Sequence, residues 1–131
     1  MKRKVERFIR RLKPFDRRRF PRIKTHPPVQ CIVRYLEKDE KKEGTVYIND
    51  VSRGGLLLSS NDKIYPQTQV MVLIQLPSRP QPLSIQGEVL RTYRRGLDDW
   101  YYSGVKFTRP QEEDVLLLLD FVAQLRKCAH P

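Results

Sequence analysis

The chain has 131 residues, enough for one hydrophobic core and not for two, so a single fold must carry the function. Its apolar (39%) and charged (31%) fractions are near globular averages and its ten prolines fall mostly between apolar runs, which excludes disorder throughout. The net charge of +11 is unevenly placed: residues 1 to 24 hold 12 Lys/Arg against Glu6 and Asp16, whereas residues 25 to 131 hold 14 against 13, which favours a localised anion site over a uniformly basic nucleic-acid-binding surface.

Val5, Phe8, Ile9 and Leu12 recur at helical spacing among Lys and Arg, so residues 2 to 13 read as a short basic amphipathic helix ended by Pro14. Its apolar stripe packs on the domain or a partner; the alternative is peripheral contact with anionic lipid. Next comes Arg17-Arg18-Arg19-Phe20-Pro21-Arg22, where proline biases Phe20 toward extended backbone and sets Arg18 and Arg22 on an irregular arm. Guanidinium forks match phosphate oxygens and the O6/N7 edge of guanine, although such a run is also what a solvated linker looks like. Thr25-His26-Pro27-Pro28 reads as a loop.

Six β-type segments follow: Val29 to Tyr35, Gly44 to Asp50, Leu56 to Ser59, Gln69 to Leu76, Leu83 to Tyr93 and Trp100 to Phe107. The charged tract Glu37 to Glu43 reads as an exposed hairpin loop, and the spacing suggests an antiparallel barrel or sandwich, closure protecting the strand edges. Between the second and third segments lies Asp50-Val51-Ser52-Arg53-Gly54-Gly55. Its glycines allow close approach to the backbone and its carboxylate can accept from the N1 and N2 donors of guanine; the alternative is a turn in which Asp50 and Ser52 bond neighbouring amides. The last element starts near Thr108, with Thr-x-x-Gln as a capping box and Glu112, Glu113 and Asp114 at the positive helix end. Its apolar residues extend well past one face, so the helix plugs a barrel mouth under the N-terminal helix or also makes a homodimer interface.

Arg-x-x-x-Arg at 18 to 22 and Asp-x-Ser-x-x-Gly at 50 to 55, set before and within a six-stranded pattern, together resemble the PilZ family of cyclic di-GMP receptors. Ser103-Gly104-Val105-Lys106-Phe107 is similar to the family's late Gly-Val-x-Phe strand. The resemblance implies a mainly β fold: a six-stranded antiparallel PilZ-type β-barrel with a C-terminal α-helix and a short N-terminal basic helix or arm. The expected division is a basic extension over 1 to 15 and a PilZ domain over 16 to 127, made of an arginine arm (16 to 28), a barrel (29 to 107) and a helix (108 to 127). It further implies that cyclic di-GMP is held between arm and barrel by Arg18, Arg22, Asp50, Ser52, Gly54 and Gly55, with Arg17 and Arg19 secondary. Ligand binding would then order the arm and signal to an unidentified effector protein.

No cofactor is expected besides that ligand. Cys31 and Cys128 form no disulfide framework or metal spacing, and His26 and His130 join no catalytic arrangement, so the chain reads as neither a metalloprotein nor an enzyme. Without a signal-peptide h-region or an apolar run near ~20 residues it reads as cytoplasmic. The competing reading is a small basic-armed β-barrel that binds nucleic acid through Tyr93, Trp100, Tyr101 and Tyr102, about half of which should face the core. The near-neutral barrel makes nucleic acid the poorer partner.

Overall fold

The computed structural model describes residues 22–128. The helix expected over residues 2 to 13, together with Arg17, Arg18 and Arg19, lies outside them. The strands are β1 (Ile23–Glu37), β2 (Glu40–Val51), β3 (Gly55–Ser60), β4 (Gln69–Ile74), β5 (Leu83–Arg94) and β6 (Tyr101–Phe107), followed by the helix α1 (Glu112–Cys128). They close into one antiparallel barrel in the order β1-β2-β3-β6-β5-β4, with β4 returning to β1 through pairs from Ile32↔Leu73 to Tyr35↔Val70. Every strand therefore has two neighbours, and no edge is left to pair with another chain.

Alternation builds the inside. Val46 and Ile48 of β2, Leu56 and Leu58 of β3, Val70, Val72 and Ile74 of β4, and Leu83, Ile85 and Val89 of β5 are buried in one cluster. Two bulges interrupt this alternation. On β2, Ile48 pairs with Leu58 and Asp50 with Leu57, so Asn49 is an extra residue; on β5, Val89 pairs with Val105 and Arg91 with Gly104, so Leu90 is extra. A bulge moves every later side chain to the opposite face. Hence Val51, rather than Asp50, follows Ile48 into the core, and Arg91 leaves the face that Val89 occupies.

Three local expectations are corrected. The segment Thr25 to Pro28 is not a loop but part of β1, which departs from regular pairing between Lys24↔Asp50 and Val29↔Ile48. Pro27 and Pro28 cannot donate to a ladder, and the irregularity accommodates them. Buried Thr25 ties the segment down, its Oγ1 donating to the backbone oxygens of Ile48 (2.6 Å) and Asn49 (3.1 Å). The charged tract is also not a long loop, because β1 and β2 pair as far as Glu37↔Glu40. Only Lys38 and Asp39 turn the chain, both with positive φ (49° and 67°), the two-residue geometry whose twist matches flanking strands. At α1 the expected capping box does not form: the Gln111 oxygen accepts from Val115 N at 3.1 Å, making Gln111 the cap, while Thr108 N donates to Gln86 O.

The helix does cover the barrel core. Val115, Leu116, Leu118, Leu119 and Val122 are buried in the same cluster as the strands, and Leu117 and Phe121 pack against it half-buried. Full burial of a side chain such as Leu118 contributes roughly 1.5–3 kcal/mol. No helix among the described residues is long and apolar enough to cross a membrane.

Candidate functional site

The two bulges aim at one place. Across the outer wall the register runs Lys24↔Asp50, Asp50↔Leu57, Leu57↔Gly104 and Gly104↔Arg91, so Asp50 and Arg91 stand on one row with Leu57 and Gly104 between them. Gly104 lacks the side chain that would fill the row, and the Arg91 stem lies across it, with Cγ about 3.4 Å from where a Cβ would stand. The result is a depression of about 390 Å³ lined by Arg22, Asp50, Ser52, Gly54, Gly55, Arg91, Gly104 and Lys106, among others.

Its charges are asymmetric, with three cations around one carboxylate. Arg22 Nη1 stands 3.8 Å from Asp50 Oδ1, the Asp50 side chain being 13% exposed and that of Arg22 43%. This contact brings the last arginine of the arm to the carboxylate of the β2–β3 turn, 28 residues apart in sequence. Of the expected site residues the structure thus gathers Arg22, Asp50, Ser52, Gly54 and Gly55 in one depression. Arg17, Arg18 and Arg19 lie outside the described residues.

The turn carrying Ser52 is internally bonded. Ser52 N donates to Gly55 O at 2.8 Å, Gly54 N donates to Ser52 Oγ at 3.3 Å, and Gly54 O accepts from Phe107 N at 2.9 Å, which pins the turn to the end of β6. The alternative of a self-bonded turn therefore also describes Ser52, whose hydroxyl can bond the turn and still face the depression. Gly55 has a reason of its own: a Cβ there would stand 2.0 Å from Val105 O, so β3 and β6 approach too closely for any side chain. The turn is also tied to the helix by an ion pair between Arg53 Nη2 and Glu112 Oε1.

Sequence reasoning overlooked Arg91, Lys106 and the flooring role of Gly104. The signal was present in Ile85-x-Gly87-x-Val89-Leu90-Arg91, where alternation breaks at two adjacent apolar residues, as a bulge requires. It also misplaced the aromatics, since none of Tyr93, Trp100, Tyr101 and Tyr102 belongs to the buried core. The inward positions at this end of β5 and β6 are instead taken by Thr92 and Ser103, whose hydroxyl oxygens lie 3.3 Å apart. Tyr93 and Tyr102 stack on the outside with ring centres 5.9 Å apart. Burial, then the Asp98 carboxylate, push the Tyr102 phenol above its usual range, so it stays a neutral donor, its OH 3.3 Å from Asp98 Oδ2. Among the described residues no group of three or more His, Cys, Asp or Glu is placed to hold a metal ion.

Comparison with known proteins agrees with this architecture. The PilZ domain of YcgR from Escherichia coli, solved with c-di-GMP, superposes with a TM-score of 0.66 at 15% identity, over 87% of this chain and 95% of that one. The Bacillus subtilis inhibitor of motility (MotI/DgrA) gives 0.63 at 15% identity, over 89% of this chain and 55% of that one. The MrkH–c-di-GMP complex of K. pneumonia gives 0.63 at 15%, over 88% and 54%. This chain thus spans about half of the latter two. No curated protein matches the sequence. At such identities the superpositions speak for the fold; the sequence itself matches the PilZ domain model over residues 16–124, from the arginine arm to α1, and the chain accordingly belongs to the PilZ domain family.

Proposed function

We propose that the protein is a cyclic di-GMP receptor that holds its ligand between the arginine arm and the β2–β3 turn, and that it is not an enzyme. The observation that carries this reading is the meeting of Arg22 with Asp50 in a depression that also holds Arg91 and Lys106. A ligand with two phosphates and two guanines needs both kinds of partner. Cations neutralise the phosphates, and a carboxylate accepts from the N1 and N2 donors that guanine has and adenine lacks. The family and the c-di-GMP complexes of YcgR and MrkH support it.

In this reading Arg18 and Arg22 grip phosphates and guanine edges, Asp50 reads the donor edge, and Ser52, Gly54 and Gly55 line the contact, with Arg17 and Arg19 in secondary positions. Binding neutralises the arm, draws it onto the barrel and changes a surface that an effector protein reads. The Arg53–Glu112 pair offers a route from the turn to α1. The receptor acts in the cytoplasm, where the free buried thiol of Cys31 is at home.

Calorimetric titration with cyclic di-GMP tests the reading. Arg22→Ala and Asp50→Ala each lower affinity about 100-fold, a loss of about 2.7 kcal/mol, with the melting temperature unchanged. Wild-type affinity in both variants contradicts it.

A further inference from the structure

One outer row away from Asp50 lies a second built surface that the arm-and-turn reading does not use. Its residues follow from the register: Tyr47↔Ser59, Ser59↔Tyr102 and Tyr102↔Tyr93 run parallel to the row through Asp50, Leu57, Gly104 and Arg91. The two rows are two residues apart on β3, β5 and β6, or about 7 Å along each strand. Both face outward.

On this second row the Tyr93 and Tyr102 rings stack at an interplanar angle of 23°, and the Arg95 guanidinium lies over Tyr102, 4.2 Å from the ring centre. Its Nη2 donates to the Tyr93 hydroxyl at 3.3 Å. Arg91, which lines the Asp50 depression, also reaches the Tyr93 ring, with its guanidinium carbon 5.7 Å from the centre. The second row is therefore continuous with the depression. Among the described residues neither Arg91 nor Arg95 enters an ion pair with a carboxylate.

The loop that presents Arg95 is held in shape. Asp98 N donates to Arg95 O at 3.1 Å, Asp98 Oδ1 accepts from Trp100 N at 3.1 Å, and Asp98 Oδ2 faces the Tyr102 hydroxyl at 3.3 Å. Gly96 supplies the positive φ (53°) next to Arg95. Arg94 closes the loop by donating to Asp98 O and Asp99 Oδ1. A long cation on an exposed hairpin ordinarily loses entropy when it is fixed, and here it is held over an aromatic ring while the residue stays exposed. The Tyr93 hydrogen bond is the largest cause raising its pKa.

A guanidinium plane over an aromatic ring is a stacking surface for a flat, electron-rich heterocycle. We propose that Arg95, laid over Tyr102 and Tyr93, is a purine-stacking platform that receives the second base of a cyclic dinucleotide whose first base is read at Asp50. The proposal rests on the cyclic di-GMP reading and extends it to residues of the β5–β6 hairpin. Asp50 then supplies guanine selectivity through its acceptor oxygens, while the platform supplies affinity through a plane that any purine offers.

Calorimetry with cyclic di-GMP on the whole chain separates the two claims. Arg95→Ala and Arg95→Lys each weaken binding about tenfold, because lysine keeps the charge and loses the plane. Tyr102→Leu weakens it to a similar degree, whereas Tyr102→Phe, which keeps the ring and loses only the hydroxyl contact with Asp98, weakens it less than Tyr102→Leu does. The Arg95 variants change only an exposed hairpin side chain, so their melting curves match wild type and they remain decisive if Tyr102→Leu unfolds. Wild-type affinity in Arg95→Ala overturns the platform and leaves the Asp50 site standing. Full affinity in Arg95→Lys overturns stacking in favour of simple charge. No binding by the wild-type protein removes the receptor reading, and the platform with it.

Discussion

The groove bounded by Arg34, Tyr35, Leu36, Lys41, Lys42, Glu43, Met71 and Arg109 encloses about 920 Å³, more than twice the roughly 390 Å³ of the depression at Asp50, yet the smaller one holds the residues of the proposed ligand site. In the larger groove two of the cations are paired, Arg34 Nε lying 2.7 Å from Glu43 Oε1 and Lys42 Nζ 3.3 Å from Glu40 Oε2. Lys41 and Arg109 line it as well, so this groove too carries an excess of positive charge, but its carboxylates sit in exposed surface pairs. In the smaller one Arg22, Arg91 and Lys106 surround a single carboxylate, leaving an excess of positive charge for an anion. Neither volume nor number of cations therefore singles out the smaller concavity; its sheltered carboxylate, 13% exposed among cations on a wall opened by Gly54, Gly55 and Gly104, is what suits it to the proposed ligand.

Filling each concavity in turn should give the largest effects. Gly104→Leu projects into the Asp50 depression beside Arg91 and should lower cyclic di-GMP affinity about 100-fold, or about 2.7 kcal/mol. Gln86→Trp fills the larger groove from an exposed position and should leave affinity within twofold. Equal losses in calorimetry would erase the distinction.

Next in size is the architectural glycine. Gly55→Ala drives a Cβ into the Val105 carbonyl and should lower unfolding free energy by about 2 kcal/mol in urea titration. An unchanged midpoint would mean that β3 and β6 can separate, and that the turn rests on a softer wall than described.

A pH effect comes from the buried core, of which Cys31 is part. Burial pushes the Cys31 thiol up from 9.0 to about 12. The folded chain keeps its proton where the unfolded chain loses it, so this contribution to stability is complete below pH 9 and is lost as pH rises toward 12. Thermal melts should therefore fall across that window, and fall less in Cys31→Ala. A steeper fall in the variant would contradict the assignment.

The smallest effect belongs to the tie between turn and helix. Arg53 and Glu112 are 37% and 61% exposed, so Arg53→Ala should cost less than about 1 kcal/mol of stability. If the tie relays binding to α1, hydrogen exchange there should change with ligand in wild type and less in the variant.

The barrel was legible because period-two alternation and turn residues mark each strand, and Asp50-x-Ser52-x-x-Gly55 was legible because it interrupts that rhythm with polar and small residues. The bulges were harder to read. One extra residue at Asn49 or Leu90 leaves composition unchanged while reversing every later side chain, so the outward turn of Asp50 could be inferred from its chemistry and that of Arg91 could not. Gly55 carried an ambiguous signal, since a glycine needed for close strand approach looks the same in sequence as one needed for a ligand. Likewise Pro27 and Pro28 pointed to a loop, because the hydroxyl of Thr25 that holds the segment to β2 acts across 23 residues of chain.

Amide chemical-shift mapping of the ¹⁵N-labelled chain during titration with cyclic di-GMP locates the ligand on the barrel. The largest shifts should fall on Asp50, Ser52, Gly54, Gly55, Arg91 and Gly104, while Tyr35, Leu36 and Met71 stay in place. Shifts concentrated on Tyr35, Leu36 and Met71, with the β2–β3 turn unmoved, would contradict it.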